Sequence, residues 1–215
     1  MRPLILASNS PRRSELLGLT RLPYVVFPAD ITEIRKSGEP PVDYVLRLAR
    51  QKSAATAGTQ DGLVVAADTT VVDGKEVLEK PADPADARRM LQQLRGRRHH
   101  VYTGIALMDT PSGRSYDAVC HTEVPMRAYS NAEIEAYLAT GDPLDKAGAY
   151  GIQHPGFKPV VDLEGCFASV MGLPLCHLLV GLRTLDIVVP AGLPERCQAH
   201  LNYDCPVYQT ILGEG

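Results

Sequence analysis

Two adjacent arginines follow a short apolar run near the start of the sequence, within the segment SNSPRR at positions 8–13. Ser10 suits a helix N-cap and Pro11 suits the first helical position, so a helix is predicted to begin here. Backbone N–H groups at a helix N-terminus, with hydroxyl and guanidinium groups beside them, bind phosphate well. The segment therefore indicates a phosphate site, and a capped helix with two solvated arginines is the alternative.

An aspartate, Asp68, follows the apolar run Leu63–Ala67, which is predicted to be a buried strand that ends there. In open α/β sheets, ligands collect at the carboxyl ends of the strands. A carboxylate in that position can hold a metal ion or orient a water molecule. The position therefore indicates a carboxylate for a metal ion or a water molecule, and an aspartate that caps a turn is the alternative.

Two lysines could contact a phosphate group: Lys52, at the polar edge of the predicted helix Pro41–Ala57, and Lys80, after a turn at positions 73–74. An ammonium group can neutralise charge that develops on a phosphate during hydrolysis. Most lysines lie on the protein surface, so neither residue is informative by itself.

The segment 142–153, DPLDKAGAYGIQ, combines glycines and small alanines with a terminal glutamine. Glycine permits tight turns and lets a ligand come close to the backbone. The carboxamide of Gln153 has both a donor and an acceptor, which suits the edge of a nucleotide base. A surface loop would have a similar composition, so the order of the residues is more specific than their types.

These residues are positioned by alternating strand and helix patterns, which predict an α/β fold. The predicted strands are Leu4–Ala7, Val64–Ala67, Val101–Met108 and Thr122–Tyr129. The predicted helices are Pro11–Leu17, Pro41–Ala57, Asp83–Leu94 and Asn131–Ala139. The last of these begins with a capping box, Ser130-x-x-Glu133. The segment 192–215 has no clear periodicity and is interpreted as an appendage.

Composition narrows the function classes. The chain has 215 residues, of which 45% are hydrophobic, enough for a sizeable core. Its net charge of −3 gives no long-range attraction for nucleic acid, so any phosphate site must be local. The first apolar run is far shorter than a signal-peptide core, and no stretch is long enough to span a membrane. We therefore expect a cytoplasmic protein without a nucleic-acid or membrane partner.

Several common catalytic motifs are missing from the sequence, including the GxxxxGK[ST] phosphate loop, the HExxH zinc motif and the GxSxG elbow. The five cysteines form no CxxC pair and are interpreted mostly as small buried hydrophobic residues. Three zinc-ligand types, Cys197, His200 and Cys205, lie near the C-terminus, but a structural zinc site usually takes four ligands.

Taken in order, several stretches resemble the Maf family of nucleotide pyrophosphatases: LASNSPRRSELL, Glu33, the helix that carries Lys52, AADTTVV, EKPADPADARRMLQQLRGRRHHVYTGIAL and YLATGDPLDKAGAYGIQ. The resemblance covers residues 2–187. It implies a mixed sheet with flanking helices and two lobes around a cleft, as in the inosine triphosphate pyrophosphatases. It also implies hydrolysis of a nucleoside triphosphate to its monophosphate and pyrophosphate, a divalent cation (Mg²⁺ or Mn²⁺) and a homodimer.

The resemblance also implies roles for individual residues. The matching positions are Ser8, Arg12, Arg13, Lys52 and Lys80 for the phosphates, Glu33 and Asp68 for the metal ion and the attacking water, Thr69 beside them, and Gln153 for the base. Of these, Asp68, Glu33, Lys52 and Lys80 are expected to be catalytic. The AGAYGIQ string is similar to that of the branch that prefers dTTP and UTP. Three positions differ from the usual family residues, namely Thr70, Arg95 and His154.

Two other functions are compatible with the same residues. One is a non-catalytic nucleotide-binding regulator of cell division, which needs similar cations. The other is a pyrophosphatase for 7-methyl-GTP or other modified purine nucleotides. The sequence is predicted to divide into a catalytic domain at 1–190 and a C-terminal extension at 191–215 to which no role is assigned.

Overall fold

The computed structural model describes residues 3–213. The described strands are β1 Leu4–Leu6, β2 Tyr24–Val26, β3 Leu63–Asp73, β4 Glu76–Leu78, β5 Arg98–Asp109 and β6 Ser115–Pro125. The described α-helices are α1 Pro11–Gly18, α2 Pro41–Ala57, α3 Pro84–Leu94, α4 Asn131–Leu138, α5 Phe167–Met171, α6 Leu175–Thr184, α7 Leu193–Leu201 and α8 Tyr208–Leu212. Short 3-10 helices lie at Asp142–Asp145 and Ala147–Ala149.

The strands form one mixed sheet in the order β2-β1-β3-β5-β6. Strand β1 runs parallel to β2 and β3, whereas β3, β5 and β6 pair antiparallel. The predicted fold class, a mixed sheet with flanking helices, is confirmed.

Strand β3 has an interrupted edge. One edge pairs with β5 along almost its whole length. The other edge pairs with β1 at Leu63–Val65 and with β4 at Val71–Asp73. Residues 66–70 lie between these two partners, so this part of β3 faces a gap in the sheet.

Helix α2 covers one face of the sheet, and the larger hydrophobic core lies on the other. Val64 and Ala66 of β3 pack with Ile5 in a small cluster that includes Ala57 of α2. The helix packs tightly on Gly104 of β5, where an added Cβ would lie 2.7 Å from the carbonyl oxygen of Val45. Any larger residue at that position would force α2 away from the sheet.

Two sequence-based interpretations were wrong. Asp68 does not follow a strand end, because β3 continues to Asp73 through its pairing with β5. Lys52 does not lie at a polar helix edge, since the buried face of α2 runs through Tyr44, Leu48 and Lys52.

The C-terminal segment packs on the body through α7 and α8. Leu193 is buried, and Arg196 donates from Nε to the carbonyl oxygen of Leu19 over 2.8 Å. His200 Nε2 lies 2.6 Å from Glu15 Oε1, so its ring contacts α1. The division into a domain at 1–190 and an extension at 191–215 stays a prediction. The first two residues of that domain and the last two of the extension, 1–2 and 214–215, lie outside the described residues. Between residues 3 and 213, no helix is long and apolar enough to cross a membrane.

Deleting the chain from residue 192 is expected to lower Tm by at least about 5 °C, because each buried apolar side chain contributes roughly 1.5–3 kcal/mol. Specific activity of the folded fraction should stay near the parent's, since no residue from 191 to 213 lines the cleft described below. Thermal melts followed by circular dichroism give the first quantity. An unchanged Tm would show that the packing of α7 contributes little.

Candidate active site

A cleft of about 680 Å³ opens at the gap beside β3. Its walls come from the segment after β1, from α2 and β3, from the segment after β4, from residues 145–153 and from the C-terminal end of α5. All nine residues assigned from the sequence line it: Ser8, Arg12, Arg13, Glu33, Lys52, Asp68, Thr69, Lys80 and Gln153. The structure thus brings together positions that are up to 145 residues apart in the chain.

Two carboxylates converge on one ammonium group at the floor of the cleft. Lys52 Nζ lies 2.6 Å from Asp68 Oδ1 and 2.9 Å from Glu33 Oε1. The Lys52 and Asp68 side chains are 8% and 9% exposed, whereas that of Glu33 is 49% exposed. Asp68 is therefore fixed inside the fold, whereas Glu33 lies at the opening of the cleft.

Burial raises the pKa of the Asp68 carboxyl, and the neighbouring Lys52 and Arg13 act in the opposite direction. A further cation beside Asp68 would favour its ionised form. Asp68 and Glu33 offer hard oxygen atoms, which fit Mg²⁺ or Mn²⁺. Within residues 3–213 no three His, Cys, Asp or Glu side chains are placed to hold a metal ion by themselves. The two acids fit an ion that takes its remaining ligands from water and phosphate oxygens.

Arg13 is fixed by three directed hydrogen bonds. It donates from Nε to the carbonyl oxygen of Gly172 over 3.0 Å, from Nη1 to Ser8 Oγ over 3.2 Å and from Nη2 to Thr69 Oγ1 over 3.3 Å. Gly172 has a φ of 110°, a conformation that favours glycine. Three of the five guanidinium donors are used in this way, so Arg13 ties β3, α1 and α5 together.

Three other polar side chains in the cleft make few contacts or none with the described residues. Arg12 has one ion pair, at 3.2 Å to Asp145, whose side chain is 60% exposed. The Lys80 side chain is exposed and makes no hydrogen bond or ion pair with any residue from 3 to 213. Gln153 Oε1 is buried and has no hydrogen-bond partner in that same range. A buried acceptor without a partner is costly, so this oxygen is suited to a ligand that donates a hydrogen bond.

A family model described as Maf-like protein matches residues 3–185. The chain belongs to the Maf family. A dTTP/UTP pyrophosphatase from Anaeromyxobacter dehalogenans strain 2CP-C is 50% identical over 193 residues, which cover 89% of this chain and 98% of that protein. One from Moorella thermoacetica is 48% identical over 190 residues, covering 87% and 98%. One from Bacillus cytotoxicus is 42% identical over 187 residues, covering 86% and 97%.

Among solved structures, this Maf chain is similar to a HAM1 protein from Coxiella burnetii, with a TM-score of 0.44 and 17% identity. That match covers 94% of this chain and 100% of the other.

The structure adds two residues to the Maf site that sequence reasoning missed. The Tyr44 hydroxyl lies 3.2 Å from Glu79 Oε1, and both residues line the cleft. Burial and the charge of Glu79 raise the pKa of Tyr44, so the hydroxyl keeps its proton and donates it. Glu79 directly precedes Lys80 in the EKP string, so its position beside an assigned residue could have pointed to it. Tyr44 gave none, because an aromatic residue on an amphipathic helix usually belongs to the core.

The cysteine and histidine positions near the C-terminus of this Maf chain lie outside the cleft. His200 contacts Glu15, while Cys197 and Cys205 border a small apolar pocket beside α5 and α6.

Proposed function

We propose that the protein hydrolyses dTTP and UTP to the monophosphate and pyrophosphate, with Mg²⁺ or Mn²⁺. The observation that carries the proposal is the convergence of Glu33 and Asp68 on Lys52, in a cleft that the two arginines of α1 also line. The names of the curated relatives, dTTP/UTP pyrophosphatases at 42–50% identity, support the substrate class.

The charges of the cleft support a metal-dependent reaction. Among the described residues, the cleft is lined by five cations and four carboxylates: Arg12, Arg13, Lys52, Lys80 and Lys146, with Glu33, Asp68, Glu79 and Asp145. The ammonium group of Lys52 offsets only one of the two charges of Glu33 and Asp68, so the remaining carboxylate charge would repel a triphosphate unless a metal ion binds beside it. A non-catalytic nucleotide binder has less use for such a pair, so the arrangement favours an enzyme over the regulator.

Each group has a role that follows from its position. Glu33 and Asp68 would hold the divalent ion, which when bound neutralises phosphate charge and polarises the phosphoryl oxygens. The acidic pair also orients or deprotonates the attacking water. Arg12 and Lys80, with free donors, bind the phosphate chain and stabilise charge that grows on it. Arg13 and Thr69 keep the segment at positions 8–13 aligned with β3.

The base is recognised by Gln153. Its Oε1, which has no partner among residues 3–213, can accept from the imide N–H that thymine and uracil share, and its NH₂ can donate to a neighbouring carbonyl group. Tyr150 and Ile152 are buried beside it and line the cleft, which limits the room for a larger purine. We also propose a cytoplasmic location and a homodimer, in line with the family resemblance.

A panel of triphosphates with pyrophosphate detection tests the assignment. We expect dTTP and UTP to be cleaved well ahead of GTP and 7-methyl-GTP. Gln153→Ala should reduce this preference by roughly tenfold, because a mismatched buried polar group costs about 1–3 kcal/mol. Gln51→Ala is the matched control, since Gln51 is exposed and bonds only to Arg47 within the described chain.

Faster turnover of 7-methyl-GTP than of UTP would contradict the proposal and favour a modified-purine pyrophosphatase. An unchanged substrate ranking in Gln153→Ala would remove Gln153 from base recognition. Binding of dTTP without turnover would favour the regulator.

A further inference from the structure

A buried tyrosine stands behind the segment that carries Gln153. Tyr137 lies near the C-terminal end of α4, is 2% exposed and does not line the cleft. Its hydroxyl oxygen is 2.9 Å from the backbone nitrogen of Gly151 and 2.5 Å from Asp142 Oδ2. Gly151 lies two residues before Gln153, so Tyr137 contacts the backbone that presents the carboxamide.

The direction of both hydrogen bonds is fixed. The Gly151 N–H can only donate, so the hydroxyl oxygen accepts from it. An ionised carboxylate can only accept, so the hydroxyl proton points at Asp142. Burial and the bond to Asp142 raise the pKa of Tyr137, which keeps that proton in place. Burial acts to raise the pKa of Asp142, but the hydrogen bonds from Lys146 and Tyr137 outweigh it and hold the pKa below its ordinary value.

A buried lysine extends the chain of contacts to the phosphate side of the cleft. Lys146 Nζ lies 2.8 Å from Asp142 Oδ1, 2.6 Å from the Asp142 carbonyl oxygen and 2.6 Å from Asp145 Oδ1. These contacts use all three ammonium donors. Asp145 Oδ2 in turn accepts from Arg12 over 3.2 Å. A continuous series of hydrogen bonds thus runs from the Gly151 backbone to the first helix.

We propose that Tyr137 is a positioning residue for base selection, which holds the Gly151–Gln153 backbone so that the Gln153 carboxamide meets the base edge at a fixed angle. The inference rests on the proposed function of Gln153. Without the hydroxyl, the Gly151 N–H loses its buried acceptor and the backbone shifts to find another. The carboxamide then adapts to several bases, so the enzyme loses discrimination more than turnover.

Tyr137→Phe tests the inference, and Tyr129→Phe is its matched control. Both tyrosines are at most 2% exposed, and both rings contact Phe157, with centroids 4.3 and 4.8 Å away. The Tyr129 hydroxyl donates to the carbonyl oxygen of Leu91, outside the cleft lining. Both variants lose one buried hydroxyl, so Tyr129→Phe shows what the loss of such a group does to the kinetics when the Gly151 contact is kept.

We expect Tyr137→Phe to reduce the ratio of kcat/KM for dTTP over GTP by about fivefold or more, with kcat for dTTP within about threefold of the parent. Hydrogen exchange at the Gly151 amide should become faster in this variant. Tyr129→Phe should leave both the ratio and the Gly151 exchange unchanged. An equal fall of the ratio in both variants, or an unchanged ratio in Tyr137→Phe, would overturn the inference.

The substrate ranking of the parent enzyme shows whether a negative result contradicts this inference or the proposed function on which it rests. If the parent shows no preference for dTTP, the proposed function is wrong whatever the variants do. If the parent has the preference and Tyr137→Phe keeps it, only the positioning role is wrong.

If Tyr137→Phe does not fold, Asp142→Asn is measured in its place, because it keeps the side-chain shape and removes the charge that the hydroxyl and Lys146 contact. Its ratio should fall in the same direction, and an unchanged ratio would overturn the inference.

Discussion

Asp68→Asn is expected to lower kcat by at least about a hundredfold while the protein stays folded, since loss of a general base or metal ligand typically costs that much. The amide keeps the volume of the side chain and can still accept from Lys52, whose Nζ lies 2.6 Å from Asp68 Oδ1. It removes the negative charge, which the cleft needs to hold a cation or take a proton. Steady-state kinetics with dTTP, beside a circular dichroism melt, measures both parts.

Asp73→Asn is the matched control for this variant. Asp73 lies on the same strand, is buried, and contacts a cation, Arg97, at 3.2 Å. It does not line the cleft, so its amide variant should keep kcat within about threefold of the parent. Near-normal turnover in Asp68→Asn, or an equal loss in Asp73→Asn, would remove Asp68 from the mechanism.

Excess EDTA is expected to abolish turnover, and added Mg²⁺ or Mn²⁺ should restore it. The reason is electrostatic, because Glu33 and Asp68 face the cleft that we propose for the phosphates, and a divalent cation would relieve the repulsion between them and the substrate. EDTA that has first been saturated with Mg²⁺ should have no effect. Full turnover in excess EDTA would contradict a metal-dependent reaction.

The variant Glu33→Gln tests whether the protein itself holds the metal ion or whether the ion only arrives bound to the nucleotide. Glu33→Gln should raise the Mg²⁺ concentration needed for half-maximal activity, since one of two anionic oxygen ligands is lost. Glu15→Gln is a suitable control, as Glu15 is exposed and contacts His200 outside the cleft. Identical Mg²⁺ dependence in parent and Glu33→Gln would show that Glu33 is not a ligand.

Local chemistry explains what could be predicted from the sequence. Helix α2 was predicted with its observed bounds, and α4 begins at the predicted capping box, where Ser130 and Glu133 bond reciprocally. These features depend on residues a few positions apart. The nine site residues were assigned through a resemblance that covers residues 2–187, and the fold places them all in one cleft.

Long-range packing explains what could not be predicted. The extension of β3 past Asp68 depends on its pairing with β5, which begins 30 residues later. Lys52 is buried because the carboxylates of Glu33 and Asp68 compensate its charge, and neither lies on its own helix. The tail was interpreted as aperiodic, yet it forms two helices because α6 offers an apolar surface to pack on. The role we infer for Tyr137 likewise depends on contacts that spacing does not show.

The products formed from UTP in the presence of Mg²⁺ test the central claim most directly, and they can be resolved by anion-exchange chromatography or ³¹P NMR. The account predicts UMP and pyrophosphate in equal amounts, with Asp68→Asn forming neither above background. UDP with orthophosphate, or no product from UTP or dTTP at any Mg²⁺ concentration, would contradict it.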